Sequence, residues 1–163
     1  MSLNSIKSTM KSQSGFTIVE LLIVVVVIGI LAAITIVTYT GITQQANGAS
    51  IKGTASSVIK KAEAYQADAA NTTYPLTPGA LLSATSDKAY AMPTGTFTPG
   101  TAWPTAATNT KTVTFYTCNS GGGVAVAFWS YGSPTVQVMK AGNTTGLVEG
   151  TGTQTTCTLS TAV

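Results

Sequence analysis

Histidine is absent from these 163 residues, as is arginine. The chain therefore lacks the commonest general base and the commonest metal ligand. Glu63, Asp68, Asp87 and Glu149 are scattered, and no pair of them has acid/base or metal-ligand spacing. Gly121-Gly122-Gly123 follows one strand-like run and leads into another. A phosphate loop would need a helix there. Lys60-Lys61 reads as a solvated helix face. No catalytic residue, metal site or cofactor is expected, and the chain does not read as an enzyme. Charged residues make up only 8%, with eight lysines against five acids, so direct nucleic-acid binding through clustered cations is not expected either. Two features with chemistry remain: the cysteine pair Cys118 and Cys157, and one acid, Glu20, set inside an apolar run.

The element around Glu20 decides the class. From Ile18 to Val37 the polar side chains are Glu20 and Thr35, and Leu21 to Ile34 is uninterrupted apolar sequence. Twenty helical residues span about 30 Å, the thickness of a bilayer core. Lys7 and Lys11 precede the run and no comparable charge closely follows it. The positive-inside rule then keeps the N-terminus cytoplasmic and sends the rest across. A cleaved signal peptide, a permanent anchor and a buried core helix all compete, the last disfavoured because the run is apolar all round. Glu20 fits none of them. An acid deep in a membrane helix costs about 2.5–3.5 kcal/mol on insertion scales, and such a residue is a functional hypothesis with a partner to be named.

The stretch Gly15-Phe16-Thr17-Ile18-Val19-Glu20-Leu21-Leu22, continuing through Gly29 to Ile34, resembles the class III signal of type IV prepilins and pseudopilins. The resemblance covers about the first fifth of the chain. It implies a basic leader, residues 1–15, cut after Gly15 on the cytoplasmic face by a membrane peptidase that methylates the new N-terminal Phe16. Glu20 then stands fifth in the mature chain, where the family's acid neutralises the N-terminal amine of a neighbouring subunit. It implies further a homo-oligomeric helical filament, a membrane assembly platform as partner, and an extracellular location after assembly. A proline that many members carry after the Gly-Ile-Leu-Ala-Ala-Ile segment is missing from Thr35-Ile36-Val37-Thr38. A straighter helix in the free subunit follows, with local unwinding between Gly29 and Gly41 expected on assembly. A pseudopilin of a secretion or competence machine is the runner-up. In another class stands a secreted or anchored binding domain.

Beyond the span, Ile42, Ala46, Ala49, Ala55, Val58, Ile59, Ala62, Tyr65 and Ala69 keep helical spacing, opposite Gln45, Lys52, Lys60, Lys61 and Asp68. Residues 16–40 form the membrane or filament-core helix on this reading, and 41–70 continue it as an amphipathic helix that Gly41, Gly48 and Gly53 weaken. Residues 71–111 hold five prolines and read as a surface loop, with one helical turn starting at Pro78. Thr112–Cys118, Val124–Trp129 and Thr135–Met139 alternate like strands, with turns at 119–123 and 132–134 and weaker strands at Leu147-Val148 and Thr155–Leu159. An antiparallel meander over 112–163, packed on the outer helix, makes the fold class α+β. Phe115, Tyr116 and Trp129 are expected in its core. Cys118 and Cys157 read as a disulfide in an exported chain, with two buried free thiols the alternative. A bond clamping the C-terminal region to the sheet is also similar to what many pilins carry. Asn71-Thr72-Thr73 and Asn143-Thr144-Thr145 match the N-glycosylation pattern, a weak signal in so threonine-rich a chain.

Overall fold

The computed structural model describes residues 15–106, 110–131, 135–147 and 156–161. Lys7, Lys11, the turn 132–134, Val148, Glu149 and Thr155 lie outside the described residues. By internal packing the chain divides into two units, the first ending at Thr40 and the second beginning at Gly41. A helix, α1 (Ile18–Ala67), begins in the first unit and continues into the second.

In the first unit the helix is built from residues that are poor helix formers by propensity. Valine, isoleucine and threonine lose rotamer freedom against the preceding turn. The threonines offset this by bonding backward: Thr35 Oγ1 donates to the carbonyl of Ala32, Thr38 Oγ1 to that of Ile34, and Thr40 Oγ1 to that of Val37, each at 2.9 Å. These hydroxyls are thus satisfied within the helix and suit a solvent that offers no hydrogen bonds.

The second unit buries one stripe of α1, namely Ile51, Ala55, Val58, Ile59 and Ala62. Ile42, Ala46, Ala49 and Ala69 carry the same spacing but are exposed, while Ile51 takes a place the periodic pattern had left out. No break occurs at Gly41, Gly48 or Gly53. The helix stops at Ala67, three residues before the expected end. There Asp68 accepts the amide of Ala70 at 3.1 Å, and Asn71 Nδ2 donates to the Tyr65 carbonyl at 2.9 Å. Both side chains capture backbone groups that another helical turn would need.

The segment from 71 to 111 is more than a surface loop. It carries a short helix, α2 (Gly79–Leu82), and a two-residue strand, β1 (Thr98–Pro99). Its Leu81, Leu82, Met92 and Phe97 are buried in the main core. It is also tied to α1: Lys61 Nζ donates to the Ala89 carbonyl at 2.6 Å, Lys88 pairs with Asp68 at 3.1 Å, and the rings of Tyr65 and Tyr90 meet edge-on at 4.8 Å. Lys61 therefore anchors this segment instead of merely facing solvent.

The sheet contains β2 (Thr112–Cys118), β3 (Gly123–Trp129), β4 (Val136–Gly142) and β5 (Cys157–Leu159) besides β1. The order is β1-β2-β3-β4, with β5 also pairing β2. The meander β2-β3-β4 is antiparallel as expected, but β1 runs parallel to β2 through Thr98↔Thr112 and Pro99↔Val113, so the sheet is mixed. The period of two sorts each strand between two cores. Val113, Phe115, Val124, Val126 and Phe128 join the buried stripe of α1. Tyr116, Cys118, Ala125, Ala127 and Cys157 form a second cluster on the other face, covered by Trp103, Val136, Val138 and Leu147. Each large side chain so buried contributes roughly 1.5–3 kcal/mol. The α+β class holds: a long N-terminal helix packed, through its outer part, on a small sheet.

Candidate functional site

The start of α1 is where sequence and geometry meet. Thr17 Oγ1 accepts the amide of Glu20 at 3.2 Å, while the amide of Thr17 donates to Glu20 Oε2 at 2.9 Å and its hydroxyl to the same oxygen at 2.7 Å. This is a reciprocal capping box, in which each side chain satisfies a backbone donor that the first helical turn leaves unpaired. Its signature is Ser/Thr followed three residues later by Glu, here Thr17-Ile18-Val19-Glu20. That pattern could have been read from the sequence as a helix start. The box also puts a negative charge at the positive end of the helix dipole.

Only Oε2 of Glu20 is engaged; among the described residues Oε1 accepts no hydrogen bond. Phe16, next to the proposed cut, is 80% exposed, and a side chain added at Gly15 would meet nothing within 4 Å. The peptide bond between them is therefore unobstructed by described residues. After it, every residue from Phe16 to Ile42 is exposed, although most are large and apolar. A helix that is apolar all round and uncovered is a surface made for lipid or for other copies. It is also long and apolar enough to cross a membrane.

The cysteines come together as a disulfide between Cys118 and Cys157, which face each other across β2 and β5. Phe115 and Tyr116 are buried, whereas Trp129 is only half-buried at the end of β3. It lines a cleft with Trp103, a residue that had drawn no attention in the sequence. Glu63, Asp68 and Asp87 do not converge, and no cluster that could hold a metal ion occurs among the described residues. Asp68 and Asp87 are instead held below the ordinary carboxylate range. The main cause for Asp68 is the Ala70 amide, followed by Lys88; for Asp87 it is the Thr85 hydroxyl. Both sequon asparagines have local structural work. Asn71 closes the end of α1, and Asn143 Oδ1 accepts the amide and hydroxyl of Thr145 at 3.2 and 2.7 Å.

Comparison with known proteins places this geometry. Residues 10–36 match the family model of the prokaryotic N-terminal methylation motif. The chain is 38% identical over 106 residues to the type IV narrow pilus major component PilA5 of Thermus thermophilus, a match covering 65% of this chain and 78% of that relative. No solved structure matches. An apolar N-terminal helix in such a protein fits a membrane-anchored precursor and an extracellular pilus. With its methylation motif, its α+β head and a relative covered over most of its length, the chain belongs to the type IV pilins and is a structural pilus subunit, not an enzyme.

Proposed function

We propose that residues 1–15 are a leader removed after Gly15 by a prepilin peptidase, that Phe16 is then N-methylated, and that the mature chain polymerises into a surface filament. The peptidase and a membrane assembly platform are its partners before assembly, with the N-terminus cytoplasmic and residues 16–40 in the bilayer. Those residues become the filament core, while 41–70 present the head formed by 71–111 and 112–163. The likeness to a major pilus component favours a pilus subunit over a pseudopilin.

The observation that carries this reading is the state of Glu20. Its Oε2 is held by Thr17, which fixes the carboxylate at the helix start, and its Oε1 has no bond among the described residues. Cleavage creates an α-ammonium at Phe16, and methylation keeps that charge. Within a hydrocarbon core either charge alone is costly, and opposite charges in contact attract far more strongly than in water. The ammonium of one subunit can therefore bond Oε1 of a neighbour without dismantling the capping box that orients it. Intact mass and N-terminal sequencing of protein sheared from the cell surface test the processing. A chain beginning at Phe16 and heavier by one methyl is expected. A chain retaining Met1, or starting near Gly41, would refute it.

A further inference from the structure

Both tryptophans of the chain, Trp103 and Trp129, line a single cleft of about 440 Å³ in the second unit. Its size falls in the range of small-ligand sites. Around the indoles stand hydroxyl-bearing residues, among them Thr98, Thr101 and Thr105, and among the described residues no charged side chain lines the cleft. We propose that it binds a neutral saccharide.

The wall of the cleft is built in advance. The amides of Thr98 and Gly100 donate to the carbonyls of Lys111 and Val113 at 2.9 and 2.8 Å, and Thr114 Oγ1 donates to the Ala102 carbonyl at 2.8 Å. Gly100 is needed for this approach, since a Cβ there would collide with the Thr114 hydroxyl. Trp103 is held against Tyr116, ring centroids 5.7 Å apart. Its indole Nε1 is buried and has no acceptor among the described residues. A buried donor left unpaired is costly.

The chemistry of the lining selects among ligand classes. Indole faces take the apolar C–H face of a pyranose ring, and threonine hydroxyls exchange hydrogen bonds with ring substituents. Phosphates and acidic or basic peptides would find no counter-charge. A peptide added as a strand would find few donors, because Pro99 and Pro104 lack an N–H and the amides of Thr98 and Gly100 already point into the sheet.

Because the chain has two tryptophans and both are in the cleft, intrinsic tryptophan fluorescence reports on this site alone. The full chain, held in a detergent without a sugar headgroup such as dodecylphosphocholine, is titrated with cellotriose and with chitotriose. A saturable change is expected with at least one of them. Trp129→Ala should weaken it about tenfold, the loss of one aromatic stacking partner. Thr101→Val on the exposed rim should weaken it without shifting thermal unfolding. Absence of a saturable change with either sugar overturns the proposal. So does a response that Trp129→Ala and Thr101→Val leave intact, or equal binding of a charged oligosaccharide. The subunit is read before assembly, so the outcome is independent of whether it polymerises.

Discussion

Removing the disulfide gives a loss of stability that can be worked out beforehand. Cys118 and Cys157 are 39 residues apart in sequence. In the chain-entropy model, a link closing a loop of that length removes about 13 cal/mol/K from the unfolded ensemble, or about 4 kcal/mol at 25 °C. The native fold should survive, because β5 keeps its ladder to β2 through Tyr116↔Leu159 and Thr117↔Thr158. The tail is pinned twice more, by the Ser160 amide on the Phe115 carbonyl at 3.0 Å and by Ser160 Oγ on the Leu76 carbonyl at 2.8 Å. The double variant Cys118→Ala, Cys157→Ala is unfolded in urea beside the parent chain in the same detergent, with tryptophan fluorescence as probe. The expected loss is about 4 kcal/mol, with the missing sulfur packing adding to it. The m-value should also rise, since an uncrosslinked unfolded chain exposes more surface. A loss below about 1 kcal/mol with unchanged m would refute the reasoning. It would mean that the unfolded chain is not the state the link constrains.

Other perturbations have equally definite outcomes. Glu20→Gln keeps the capping geometry but removes the charge, so processed, methylated subunit should accumulate in the membrane with filaments nearly absent from sheared fractions; normal filaments would rule out charge pairing. Thr17→Ala deletes the two bonds of the Thr17 hydroxyl at the helix start and should weaken the first turn by about 1 kcal/mol, read as faster amide exchange there. Gly142 has φ +71°, and a Cβ there would lie 2.6 Å from the Gly122 carbonyl oxygen, so Gly142→Ala should cost about 1–3 kcal/mol in urea unfolding. Asp68 is held below its ordinary value near 3.8, first by the Ala70 amide and then by Lys88. Its contribution is present above that ordinary value and lost as pH falls through the depressed one. The stability difference between parent and Asp68→Asn should therefore be steady at neutral pH and vanish in acid. A gap that widens in acid would contradict the sign.

What could be read in advance depended on the range of the forces involved. The apolar run, the strand at Thr112–Cys118 and the stripe from Ala55 to Tyr65 are local patterns, and all three appear in the structure. Ile51 sits four residues before Ala55 and belonged to the same period. The buried Leu81, Met92 and Phe97 were not legible, because isolated apolar residues among prolines and glycines have no period. Trp103 is the clearest case. Its place depends on β1, two residues long, one of them proline, and paired in parallel with β2 across a connection of twelve residues. Nothing in the neighbourhood of Trp103 encodes that pairing. At the helix start the residues were singled out, but the role of Thr17 was missed although the capping-box spacing spells it out.

The exposed helix of the first unit raises a question of driving force. Leucine, isoleucine and valine are as well solvated by lipid tails as by each other, so moving this surface from bilayer to filament gains little from the hydrophobic effect. On the reading proposed above, something else must favour the filament. Glu20 would supply it: in the bilayer its carboxylate has the Thr17 donors, whereas in the proposed filament a neighbour's ammonium would also bond Oε1. The apolar residues then make the helix tolerable in both environments, and the single acid makes one of them preferable. On that reading the run needs only Glu20 as a charge, placed at the end where the proposed cut falls. It also predicts that an acid moved one turn inward, by Glu20→Leu with Val24→Glu, will not restore assembly. The displaced carboxylate loses its Thr17 donors and lies about 6 Å further along the helix axis, out of register with a neighbour's N-terminus.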